Sequence, residues 1–182
     1  MRTFPPLALA AALAATLLLT ACDGDKTSGD DVKNADRPGA SACAIGDLGV
    51  EVGAGAAPAA GDTGNVTVTL TNQGRACVLK GFPVVDLSAE DTTTSVSPEQ
   101  TAKARPLTLG KGGTTSFTIT YVRGEADSPK SLTVRKASFA LPGATAEARD
   151  LPWSYGEVAR RDGSSSGGAA QASVSGFESS GD

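Results

Sequence analysis

The chain has 182 residues, a formal net charge of −4 and no histidine; 40% of its residues are hydrophobic and only 4% aromatic, with 22 glycines and 10 prolines. The missing imidazole excludes a Ser-His-Asp or Cys-His couple, a His-ligated metal and a histidine pH switch, and an acidic chain without a Lys/Arg-rich run argues against nucleic acid as a partner. What remains suits one modest globular domain with unstructured flanks.

The N-terminus carries one cation, Arg2, and then a Leu- and Ala-rich run from Leu7 to Leu19. A helix of that length rises about 20 Å, short of a hydrocarbon core of about 30 Å, so residues 1–21 read as a signal peptide and not as a span. The run ends in Leu19-Thr20-Ala21-Cys22 and is followed by the polar stretch Asp23-Gly24-Asp25-Lys26. This resembles the lipobox of bacterial lipoproteins. The resemblance implies cleavage between Ala21 and Cys22, a diacylglyceryl group on the Cys22 thiol, and a place on the outer, extracytoplasmic face of the cell membrane. Two acyl chains anchor firmly where one binds marginally.

Residues 22–42 follow as a lipidated cysteine and tether, rich in Asp, Gly, Ser, Lys and Ala, with Val32 the one large apolar residue. About 20 residues of flexible coil hold a domain about 25 Å from its anchor. The acids Asp23, Asp25, Asp30 and Asp31 do not make a calcium loop, because Ser28 stands where glycine is needed and Asn34 where glutamate is needed. No metal and no cofactor is expected. With Cys22 assigned to lipid, Cys43 and Cys77 remain as an even pair in an oxidising compartment and are expected to form a disulfide.

From Cys43 to Val158 the hydrophobic period is two. Leu48, Val50 and Val52 alternate with Gly49 and Glu51; Val66, Val68 and Leu70 with threonines; Phe117, Ile119 and Tyr121 with Ser116, Thr118 and Thr120. Such alternation predicts half-buried antiparallel strands, with shorter ones at Val84 to Leu87 and Leu107 to Leu109. Leu132 and Val134 lie in one phase and Ala137, Phe139 and Leu141 in the other, which predicts a bulge near Arg135-Lys136. No stretch offers a convincing helix. Six to eight short strands over residues 43–158 predict an all-β fold, a single immunoglobulin-like antiparallel β-sandwich, with a small barrel as the alternative. Residues 159–182, rich in Gly, Ser and Ala with Val174 and Phe177 isolated, read as a disordered tail.

The stretch Thr69-Leu70-Thr71-Asn72-Gln73-Gly74-Arg75-Ala76-Cys77-Val78-Leu79-Lys80-Gly81-Phe82-Pro83-Val84-Val85 resembles the signature of a family of actinobacterial exported proteins, domain of unknown function 4232. Cys43 ahead of the first strand, Leu109-Gly110-Lys111-Gly112-Gly113, and Pro152-Trp153-Ser154-Tyr155-Gly156 fit it too. Phe82 and Val84 depart from its usual Gly-Tyr-Pro-Gly-Val, and a second cysteine pair found in many relatives is missing. The resemblance brings no catalytic residues. Physically, Thr71-Asn72-Gln73-Gly74 predicts a turn with a residue at positive φ, and Gly81-Phe82-Pro83 a corner before an edge strand.

The remaining motifs are weak as chemistry. Asp62-Thr63-Gly64 matches the aspartic-protease triplet but lacks a second triplet and apolar flanks, and reads as a hairpin turn. Gly53-Ala54-Gly55-Ala56-Ala57-Pro58 ends in proline where a dinucleotide loop needs glycine, and Gly110-Lys111-Gly112 lacks the hydroxyl residue of a phosphate loop. Glu147 and Asp150 are a carboxylate pair of a kind any acidic protein offers. The aromatics Trp153 and Tyr155 either plug one end of the sandwich or form a stacking platform for a sugar or peptide. The sequence therefore predicts no catalytic residues and a non-catalytic binding or interaction module tethered to the membrane through Cys22, its partner an envelope protein or a glycan. The rival readings are a structural lipoprotein without a saturable ligand and a small carboxylate-dependent hydrolase.

Overall fold

The computed structural model describes residues 40–90, 92–144, 147–161 and 168–179. Ala21, Cys22 and the tether up to residue 39 lie outside them. The described chain is all-β. In order, the strands are β1 Leu48–Ala54, β2 Thr63–Asn72, β3 Cys77–Leu79, β4 Val84–Ala89, β5 Thr92–Pro98, β6 Leu107–Leu109 and β7 Thr114–Val122. They continue with β8 Ser131–Leu132, β9 Lys136–Ala140, β10 Ala148–Pro152, β11 Val158–Ala159, β12 Ala172–Val174 and β13 Glu178–Ser179.

Hydrogen bonds connect the main strands in the order β1-β2-β7-β12-β5-β4-β9-β10, with β13 also on β7; β3 pairs β6 and β8 pairs β11 in two small ribbons. On a flat sheet β7 and β9, four strand steps apart, would lie about 19 Å from each other. The rings of Phe117 on β7 and Phe139 on β9 are instead 5.3 Å apart. The sheet is therefore curled into a half-barrel with its apolar face inward. That face carries Val66, Val68 and Leu70 from β2, Phe117, Ile119 and Tyr121 from β7, Val85 and Leu87 from β4, and Phe139 from β9, all nearly inaccessible to water. The alternation in the sequence is the record of this one-sided burial.

The structure corrects some local expectations and bears out others. The segment 168–179 is not a tail: β12 inserts between β7, antiparallel, and β5, parallel, and makes the sheet mixed. Ala170, Ala172 and Val174 are buried there, and Phe177 packs edge-on against Phe117. The predicted bulge near Arg135 is present: the Arg135 N–H donates to Ser88 O at 2.9 Å although Ser88 already stands opposite Lys136, two residues against one, and the partner changes there too, since β8 pairs β11 whereas β9 pairs β4 and β10. Gly81 does turn the predicted corner, at φ +105°. The strand after it, however, is interior, with β4 flanked by β5 and β9; Pro83 stands just ahead of the first paired residue and interrupts no ladder.

The turn after β2 needs no positive φ. Asn72 is fully buried, and its Oδ1 accepts the Gly74 N–H at 3.0 Å. Its Nδ2 lies 2.9 to 3.1 Å from the carbonyls of Arg75, Leu109 and Gly110. One side-chain amide thus closes its own turn and ties β2 to the loop after β6. The Thr-Asn element of the motif is explained by this satisfaction of buried backbone groups.

Cys43 and Cys77 form a disulfide across a sequence separation of 34. The chain enters beside it, with Cys43 N–H donating to Val78 O at 3.2 Å and Val78 N–H to Ser41 O at 2.9 Å, so Ser41 to Cys43 are held and are not free tether. Closing a loop of that length removes about 3–4 kcal/mol of unfolded-state freedom. Cys43→Ser, Cys77→Ser or the double variant is expected to lose that much stability in urea unfolding; an unchanged midpoint would refute the contribution.

Candidate functional site

The aromatic segment after β10 is built inward. Trp153 is only 8% exposed, and its indole N–H donates to Gly156 O at 2.7 Å. Its ring meets Tyr121 and Tyr155 edge-on, each with centroids 5.0 Å away. The Tyr121 hydroxyl donates to Tyr155 O at 2.9 Å. Burial raises the Tyr121 hydroxyl pKa, with the neighbouring Arg123 charge opposing it and Tyr155 adding to it. Of the two readings of this segment, the plug describes Trp153. Tyr155 is half-buried at the rim, its ring against the indole.

Arg123 caps this cluster where β7 ends. Its Nη1 donates to Gly124 O at 2.7 Å and to the Glu157 carboxylate, an ion pair about four-fifths buried on both sides. The Glu157 carboxyl is held below its usual pKa, first by its own backbone N–H and then by Arg123, against some desolvation. Gly156 permits the arrangement: it sits at φ +82°, and a Cβ there would run into the guanidinium.

Beside Arg123 opens a cleft of about 440 Å³ lined by Arg123, Glu125, Ser128, Lys130, Ser131 and Arg160, among others. Backbone bonds fix its walls. Gly124 N–H donates to Glu157 O, Arg160 N–H to Lys130 O and Gln171 N–H to Ala159 O, each at 2.8 Å. The cations come from three chain segments: the end of β7, the approach to β8 and the exit from β11. Their convergence was not predicted, because 37 positions separate Arg123 from Arg160 and only the β8–β11 pairing and the Arg123–Val158 bridge bring them together.

The other motifs take structural places. Asp62 N–H closes a turn on Ala59 O at 3.0 Å, Asp62 O accepts the Arg123 N–H at 2.8 Å, and Thr63 and Gly64 begin β2. Gly53 and Ala54 end β1. The Gly110 loop docks on Asn72, whose carbonyl accepts the Gly112 N–H at 2.7 Å. Asp150 pairs with Lys136 on the exposed face of β10 at 3.0 Å, and Glu147 is exposed just before that strand. Among the described residues no group of three or more His, Cys, Asp or Glu is placed to hold a metal.

A family model described as Domain of unknown function (DUF4232) matches residues 43–178. The match runs through β12 and into β13, in accord with the buried place of β12 in the sheet. No curated protein and no solved structure matches the chain.

Proposed function

The chain belongs to the DUF4232 family, and from that premise we propose that it is a membrane-anchored extracytoplasmic lipoprotein whose β-domain is a non-catalytic binding module at the cell envelope, presented to an envelope protein or a glycan. The lipobox ending in Cys22 supports the anchor, and the acidic, glycine-rich stretch after it supports the tether. The block β1-β2-β7 and the block β5-β4-β9-β10 we read as the two layers of an immunoglobulin-like sandwich stitched together by β12. The observation that carries the binding reading is the cleft beside Arg123, a polar recess of small-molecule size with walls fixed by backbone bonds.

In-cell crosslinking of the full chain tests this reading, with Cys22→Ala as the control. The parent should fractionate with membranes and give one saturable adduct, whereas Cys22→Ala should be released or remain unprocessed. Membrane retention and normal processing of Cys22→Ala would overturn the anchor. Efficient crosslinking without a reproducible adduct would overturn the module and favour a structural lipoprotein.

A further inference from the structure

The cleft has the opposite sign of charge to the chain that forms it. The protein carries a formal −4, yet Arg123, Lys130 and Arg160 line the recess against Glu125 alone, with Glu157 taken up by Arg123. Among the described residues the side chains of Lys130 and Arg160 make no hydrogen bond and no ion pair, although Arg160 is half-buried and its Nε is shut off from solvent without a partner. A half-buried guanidinium left unpaired beside a lysine repels that neighbour and forgoes the charge-assisted bonds that would offset its desolvation. An oxyanion between the two cations answers the repulsion and supplies charge-assisted bonds, although the enclosed Nε is not itself reached from the cleft and Arg160 also borders the neighbouring recess that holds Glu90.

The rest of the lining narrows the ligand. Ser128, Ser131 and Gln171 add hydroxyl and amide groups, and the Ser128 hydroxyl is itself held by the Lys130 N–H at 3.3 Å. The volume falls near the lower end of the roughly 300–1,000 Å³ of small-molecule sites. We infer that this cleft binds a small polyol bearing one oxyanion, a sugar with a carboxylate or a phosphate, with Arg160 and Lys130 on the oxyanion and the serines and Gln171 on the hydroxyls. This rests on the binding-module reading and names its ligand class.

Calorimetric titration of the full chain with glucuronate, glucose 6-phosphate, glucose and inorganic phosphate tests it. Glucuronate or glucose 6-phosphate should bind at least about tenfold tighter than glucose and than inorganic phosphate, and the tighter of the two identifies the carboxylate or the phosphate as the source. Arg160→Gln and the exposed Lys130→Gln should each weaken that ligand about tenfold with an unchanged unfolding midpoint, and added salt should weaken it further. Two results overturn the proposal: charged sugars binding no better than glucose or free phosphate, and unchanged affinity in both variants. If the crosslinking experiment still captures a protein partner, that result removes the ligand class and leaves the binding module standing.

Discussion

A chain ended at Arg161 should lose its cooperative unfolding transition. The deletion removes β12, among the described residues the one strand that joins β1-β2-β7 to β5-β4-β9-β10. With it go the buried Ala170, Ala172 and Val174 and the edge-on contact of Phe177 with Phe117. Burying Val174 and part of Phe177 contributes about 3–5 kcal/mol, the aromatic pair adds about 1 kcal/mol, and the newly bared inner faces of β5 and β7 add to the loss. Set against a typical total of about 5–15 kcal/mol, that is enough to melt a small domain. Urea titration followed by far-UV circular dichroism should show a broad, early transition or none. A sharp transition at the parent midpoint would mean that the C-terminal strands are ornament. Val174→Asp is the single-residue version: an unpaired carboxylate placed at a fully buried position should cost about as much.

Trp153→Ala should destabilise the domain by about 3–5 kcal/mol. The indole is the largest side chain at this end of the core, packed on Tyr121 and Tyr155 and bonded to Gly156 O. Alanine leaves a cavity, an unsatisfied carbonyl and a loosened seat for Arg123. Trp153→Phe retains most of the packing and loses the N–H donor, so about 1–2 kcal/mol should separate it from the parent. Because the chain has one tryptophan, circular dichroism and not fluorescence must follow both variants. A midpoint for Trp153→Ala within error of the parent would place the ring outside the core.

Strands β2 and β7 were legible in the sequence because each buries one face along nine or ten residues, which writes a long period-two pattern. The disulfide was legible through parity once Cys22 was assigned to lipid. β12 was not, because it is three residues long and lies in a Gly/Ser-rich stretch whose alanines owe their burial to a slot made by two other strands. β5 was missed for a related reason: it is mostly Thr and Ser, and within it Val96 is the buried hydrophobic residue. In the candidate site, the aromatic segment was visible as a local concentration of rings. The charged cleft was not, since its cations meet only through pairings that no local pattern encodes. Propensity and periodicity report what a segment does with its own two faces; a slot-filling strand and a composite recess depend on what others leave open.

The position of β12 in the sheet also sets an order of events. During synthesis the chain emerges from its N-terminus, and a sheet whose middle strand lies at residues 172–174 has nothing to close on until those residues, which follow every strand they join, have appeared. β1, β2 and β7 can pair beforehand, as can β5, β4 and β9, but the edges of β5 and β7 stay bare until β12 arrives. Completion is therefore a late, long-range step. Any agent that captures a free strand edge has its opportunity in that interval.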